Sequence, residues 1–194
     1  FLVVGDADEA AQAADQLGYP VVLKAVGAAI SHKTEAGGVV LDLKDATEVR
    51  QAAGDLIQRL ELNRLVVMRM ISGGSEVIVG GKQDPSFGAV VLFGLGGVTA
   101  EALKDVRLRL APVSDAEAGQ MLDGLRGAAL LKGFRDRPPV NRPALLQVIM
   151  RVANLMAALP ELLELDLNPV LAGPGGALAV DARARIKPSA AHGH

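Results

Sequence analysis

Hydrophobic and polar positions change period several times along the chain, and each change marks an element. Asp6 with Glu9 three residues later forms a capping-box pattern, and the Ala-rich stretch to Leu17 predicts a helix stopped by Gly18. Pro20 starts an apolar strand to Val26, interrupted by Lys24. After a polar loop, residues 38–43 return as its partner, predicting a long hairpin. Asp45 and Glu48 repeat the capping signature before a second helix, in which Val49, Ala53, Leu56 and Leu60 recur at helical spacing. Leu65 to Ile71 reads as a further strand.

Ser72-Gly73-Gly74 reads as a turn or hinge. Beyond it, residues 75–82 alternate as a half-buried strand, Asp84-Pro85 turns, and residues 88–93 form a strand again. Gly94 to Gly97 is a glycine-rich loop leading into a short helical piece around Glu101. Residues 106–111 alternate once more, Ser114 with Glu117 caps a third helix, and the Pro-rich segment 132–142 reads as loop. Asn141 and Pro143 open the longest helix, with Leu146, Ile149, Met150, Val152, Ala153 and Met156 on its apolar face. Strands at 162–171 and 177–182, joined by a glycine turn, close the chain. The order predicts two α+β lobes, 1–71 and 72–187, followed by a frayed tail, 188–194. The apolar opening Phe1-Leu2-Val3-Val4, without an initiating Met, is expected to be the cut edge of something longer.

Composition narrows the function classes. Half of the 194 residues are apolar, yet there is no Trp, one Tyr and four Phe, so the core must be built from Val, Leu, Ile and Ala. Twenty basic residues face 22 acidic ones without a basic stripe, which argues against a nucleic-acid surface. There is no Cys, so disulfides and thiolate metal sites are excluded. No apolar run reaches membrane-spanning length, and a cytoplasmic protein without a membrane partner is the expectation.

Three clusters carry candidate chemistry. Lys24, on an apolar strand beside the loop Ile30-Ser31-His32-Lys33-Thr34-Glu35-Ala36-Gly37-Gly38, combines a fixed cation with glycines whose backbone can close on an anion. The plainer reading of Lys24 is a charge on the exposed face of an edge strand, and of His32 a solvated loop side chain. Glu164, Asp166 and Asn168 alternate onto one strand face, and the turn brings Asp181 opposite. Hard oxygen donors converging there suit Mg2+, which takes few protein ligands and completes its shell with phosphate and water; the plainer reading is a polar sheet face. Gly94–Gly97 is an anion nest or only a tight turn, and Glu76 is a strand-edge charge or an acceptor for sugar hydroxyls. Arg107 and Arg109 read as a solvated face, and Arg135, Arg137, Arg183 and Arg185 have no assigned partners.

Taken in order, GYPVVLK…ISHKTEAGGVVLDL, VVMRMISGGSEVIVGGKQDPSFGAVVLFGLGGVTAEALKDV and LLELDLNPV…LAVDARARI resemble the ATP-grasp domain of nucleoside-diphosphate-forming acyl-CoA synthetases. The type member is ADP-forming acetate–CoA ligase, with the beta subunit of succinyl-CoA synthetase a more distant relative. The resemblance runs from about Ala10 to Ile186. It implies an ATP-grasp fold in which two α+β lobes hold ATP or ADP between them. It also implies that Lys24, Ser31, Gly37 and Gly38 meet phosphates, that the backbone at Met68 and Met70 meets adenine, and that Glu76 lies further along the nucleotide. Asn168 and Asp181, with Asp166 beside them, match the family's magnesium ligands. His32 matches the histidine of a phosphoryl relay, and Gly96, Gly97 and Glu101 would lie near an arriving phosphohistidine segment. Two residues depart from the pattern: Asp136 stands where Gly is usual and Glu35 where Asp is usual.

The implied reaction is acyl-CoA + ADP + phosphate ⇌ acid + CoA + ATP through a phosphohistidine. The implied partners are CoA-binding and CoA-ligase domains or an alpha subunit. The alternative is a regulatory, ligand-sensing domain fused to a lysine acetyltransferase module. On either account, the hairpin bearing Lys24 and the hairpin bearing Asp181 are expected to share one cleft.

Overall fold

Asp6 accepts a hydrogen bond from the Glu9 backbone and starts helix α1, Ala7–Leu17. The Glu9 carboxylate reaches back to the Gly5 N–H at 2.7 Å, one residue earlier than a standard capping box. Helix α2, Ala46–Leu60, starts in the same way: Asp45 receives the Thr47 and Glu48 N–H groups, and Glu48 takes the Lys44 N–H. The computed structural model describes residues 1–26, 37–97, 105–133 and 138–188. It divides into two units, Phe1–Ser72 and Gly73–His194.

The first unit lays both helices on one face of a four-stranded sheet. Its strands are β1 (Leu2–Val4), β2 (Val21–Ala25), β3 (Val39–Leu43) and β4 (Leu65–Arg69), in the order β1-β4-β2-β3. The core side carries Val21, Leu23, Leu65 and Val67, packed with Ala10, Ala14, Val49 and Leu56 from the helices. The N-terminal apolar run is therefore a paired strand, with Val4 opposite Leu65.

The second unit is built on a six-stranded sheet. Strands β5 (Ser75–Asp84), β6 (Gly88–Leu95) and β7 (Val106–Leu110) are followed by β8 (Leu162–Gly173), β9 (Gly176–Ala179) and β10 (Ala182–Ile186). The order is β10-β8-β5-β6-β7, with β9 also paired to β8. Helix α3 (Asp115–Asp123) carries a full Ser114–Glu117 capping box. A single turn, α4 (Ala128–Leu131), and the long α5 (Arg142–Ala158) follow. Val77, Val79, Val91 and Phe93 form one core with Met121, Ile149 and Met156. At Gly81 an added Cβ would lie 2.3 Å from the Met156 Cγ, so a side chain is excluded where α5 meets the sheet.

Three expectations need correction. The strand expected at 177–182 is two strands, β9 and β10, broken at Val180-Asp181. The Pro-rich region expected as loop is preceded by the unforeseen turn α4. In β7 the alternation is inverted: Val106, Leu108 and Leu110 are the exposed positions, and Arg107 and Arg109 are half-buried. The arginines turn toward hydrogen-bond acceptors, so they are not a solvated face. Arg107 donates to the Gly124 carbonyl beyond α3 and meets the Asp105 carboxylate at 3.5 Å.

Candidate functional site

In the first unit, Lys24 alternates along β2 with Leu23 and Ala25, so its side chain leaves on the sheet face away from the helices. Register places Val39 and Val66 on either side of it. Strand β2 is thus an interior strand, and the edge-strand reading of Lys24 is excluded. Met68 lies on the same face as Lys24, two positions from Val66. The Met70 N–H is held by the Pro20 carbonyl at 2.9 Å, so a contact to a base at Met70 is left to its carbonyl. Gly37 has the left-handed φ of 64°, and its carbonyl accepts a 2.6 Å bond from Arg59 at the end of α2. The Gly38 carbonyl accepts the Ala25 N–H at 2.7 Å. Ser31 and His32, and Glu101 in the second unit, lie outside the described residues, as do Glu35, Arg135, Asp136 and Arg137.

In the second unit, Glu76 is the second residue of β5, which starts directly after two left-handed glycines, Gly73 and Gly74. The Gly96 N–H donates to the Glu76 carbonyl at 2.7 Å. A Cβ on Gly97 would lie 2.8 Å from the Glu76 carboxylate. The structure therefore gathers Glu76, Gly96 and Gly97 into one cluster, whereas the sequence had assigned them to different contacts.

The acid-bearing strands form a regular ladder. Leu167 faces Ala182, Asp166 faces Arg183, and Glu164 faces Arg185. One step further, the Asn168 N–H donates to the Asp181 carbonyl at 3.3 Å. The residues 164, 166 and 168 and the residues 181, 183 and 185 thus alternate onto a single sheet face. Arg183 and Arg185, left without partners by sequence reasoning, are matched to the acids by register. No local pattern in the sequence reveals such a pairing. Burial pushes the Asp166 carboxyl up, reinforced by Glu164 and Asp181, while Arg183 acts in the opposite direction. Among the described residues, no three His, Cys, Asp or Glu side chains gather closely enough to cage a metal alone.

The same face continues over β5, β6 and β7 as a groove of about 820 Å³, whose lining includes Ile78, Leu92, Leu108 and Leu110, with Lys82 and Asp166 among its polar residues. Gly80 stands opposite Asp166 and leaves the floor clear beside it.

Sequence reasoning also missed Asp105, the one buried charged residue among those described. Burial alone would raise its carboxyl. The backbone N–H groups of Gly127 and Arg126, with the charges of Arg107 and Arg126, outweigh that and hold it below the usual aspartate range. The Gly127 N–H donates to it at 2.8 Å, tying the start of β7 to the turn α4. Asp105→Asn is expected to cost about 1–3 kcal/mol at neutral pH, the usual cost of mismatching a buried charged acceptor. The folded pKa lies below the unfolded one. The carboxylate therefore contributes fully above about pH 3.9, and its contribution is lost as pH falls through the lower folded value. Urea unfolding of both proteins at pH 7 and near pH 3 checks this; an equal difference at the two pH values would rule it out.

Comparison with known proteins gives a coherent set of similarities. The profile of a family described as ATP-grasp domain matches residues 1–186. The beta subunit of ADP-forming acetate–CoA ligase I from Pyrococcus furiosus is 40% identical over 190 residues, covering 94% of this chain and 82% of that one. ADP-forming acetate–CoA ligase I from Archaeoglobus fulgidus is 37% identical over 188 residues, and there the match spans only 27% of the relative. Among solved structures, the dinucleotide-forming acetyl-coenzyme A synthetase 1 of Candidatus Korarchaeum cryptofilum is 36% identical, with 96% of this chain and 84% of that one covered. Its complex with coenzyme A and Ca-AMPCP gives a TM-score of 0.91. A complex with coenzyme A and Mg-AMPPCP, whose phosphohistidine segment points towards the nucleotide binding site, gives 0.84.

Proposed function

Because the chain belongs to the ATP-grasp domain family over residues 1–186 and has that fold, we propose that it is the nucleotide-binding component of an ADP-forming acyl-CoA synthetase. In this role it moves a phosphoryl group between ATP or ADP and a phosphohistidine supplied by a CoA-binding partner, an alpha subunit or a fused portion. The observation that carries the reading is the face holding Asn168 and Asp166 on β8, with Asp181 beside them in the break before β10, where its carbonyl takes the Asn168 N–H. The relatives named above supply the reaction class. All of them are CoA ligases or synthetases, and nothing favours the acetyltransferase-linked alternative.

The donor set is the test for a metal. Two or three hard oxygen ligands, with no closed cage of carboxylates among the described residues, fit Mg2+ shared with a polyphosphate and would not by themselves hold a bare ion tightly. Asn168 and Asp181 would hold it, with Asp166 adjacent. The ion would neutralise charge on the phosphate oxygens during transfer.

The remaining work falls to the chain's own groups. Lys24, fixed on an interior strand, supplies a cation to the phosphates, with Ser31, Gly37 and Gly38 around them. The Met68 and Met70 backbone meets the base, and Glu76 with Gly96, Gly97 and Glu101 borders the approach of the phosphohistidine. In the direction that forms acyl-CoA, the bond between the terminal phosphorus of ATP and its bridging oxygen breaks as a neutral imidazole nitrogen bonds to that phosphorus, and ADP leaves; in the ATP-forming direction the same bonds exchange in reverse. In our reading His32 passes the group onward or receives it.

Calorimetric titration with ADP and GDP, with and without Mg2+, tests the proposal. Wild type is expected to bind in a Mg2+-dependent manner, and Lys24→Ala to weaken binding by about tenfold, as loss of one charge-assisted phosphate contact would. Equal affinity with and without Mg2+, or an unaffected Lys24→Ala variant, would overturn the site.

A further inference from the structure

The two arginine positions of the ladder close differently. Arg185 is paired: its Nη2 and Nε both lie 3.3 Å from one Glu164 carboxylate oxygen, Oε2. Arg183 stands directly opposite Asp166, yet no ion pair within 4.0 Å joins them among the described residues. Directly opposed residues project from the same sheet face, so the Arg183 stem leaves the sheet beside Asp166. Two residues before it, Asp181 projects to that same face. Arg183 is exposed.

We propose that Arg183 is a phosphate-contacting residue of the nucleotide site, receiving oxygens of the same polyphosphate that Asn168 and Asp181 reach through a divalent cation. The inference rests on the site proposed above. Three carboxylates, Asp181, Asp166 and Glu164, stand along this face, and Arg185 already neutralises one of them. A nucleoside diphosphate remains anionic after one divalent cation has bound, so it meets repulsion there unless a second cation faces it. With Lys24 already assigned to the phosphates, Arg183 is the cation that register sets against Asp166 on this face. Its planar fork can take two oxygens of one phosphate, and an unclosed partnership with Asp166 keeps it near the face without locking its donors away. Arg185, two positions further along, has the same chemistry with its partner closed, and it serves as the internal control.

The test uses the intact chain with Mg-ADP, and with adenosine as the probe lacking phosphate, measured for Arg183→Gln, Arg183→Lys, Arg185→Gln and Asp181→Ala. Arg183→Gln is expected to weaken Mg-ADP binding about tenfold or more, with adenosine binding and the melting midpoint unchanged. Arg183→Lys should recover part of the loss, and Arg185→Gln should bind Mg-ADP as wild type does. If Asp181→Ala weakens Mg-ADP but Arg183→Gln stays within twofold of wild type, the Arg183 assignment falls and the site stands. A wild-type chain without affinity for Mg-ADP overturns both. Equal losses for Mg-ADP and adenosine, or parallel drops in the melting midpoints of Arg183→Gln and Arg185→Gln, would make Arg183 a structural residue and overturn the assignment.

Discussion

Asp181→Ala is expected to weaken Mg-dependent ADP binding by about 30- to 100-fold, the equivalent of roughly 2–3 kcal/mol, while leaving the melting temperature close to wild type. The size follows from its position. Asp181 lies in the short break between β9 and β10, where its backbone carbonyl takes the Asn168 N–H and one carboxylate oxygen takes the Ala182 N–H at 3.1 Å. The backbone contact to Asn168 survives the substitution, so the ladder should stay in register. The side chain is exposed, so truncation leaves no cavity. What disappears is the carboxylate, and with it the charged half of a two-residue magnesium site. Titration with and without Mg2+ separates the two effects. A variant that keeps its Mg2+ dependence would show that this pair of strands does not hold the ion.

Phe93→Ala is the largest stability effect expected, about 3–5 kcal/mol. Phe93 is fully buried and sits in the middle of the second unit's sheet, between Val79 on β5 and Arg107 on β7. It belongs to the cluster containing Met121, Ile149 and Met156. Among the described residues, the cluster around Phe93 contains no other aromatic ring. Stabilities of whole domains run to about 5–15 kcal/mol, so this single truncation removes a large part of the total. The melting midpoint should fall by roughly 10–20 °C. Thermal and urea unfolding followed by circular dichroism would detect the loss, and a change below about 1 kcal/mol would contradict the packing described.

The elements were largely legible in the sequence because their signals are local. The acidic caps Asp6 and Asp45 and the capping box at Ser114 each sit at a helix start. The ladder face was legible for the same reason, since alternation alone puts Glu164, Asp166 and Asn168 together. What escaped depends on neighbours distant in sequence. Period-2 alternation in β7 says that two faces exist, but the acceptors Gly124 and Asp105 decide that Arg107 turns inward. Lys24 could not be told from an edge-strand lysine, because the order β1-β4-β2-β3 is not written in β2 itself. The partners of Arg183 and Arg185 follow from register alone, and the turn α4 is too short, and too poorly capped, to leave a pattern.

The inverted strand β7 also has a consequence in concentrated solution. It forms one margin of its sheet and turns Leu108 and Leu110 outward at 54% and 58% exposure, with Phe87 nearby in the same groove at 71%. A sheet margin with greasy outward side chains is adhesive, and a formal net charge of −2 offers little long-range repulsion to oppose it. Self-association of the isolated chain should therefore begin along β7, and its colloidal behaviour should follow that margin more closely than ionic strength.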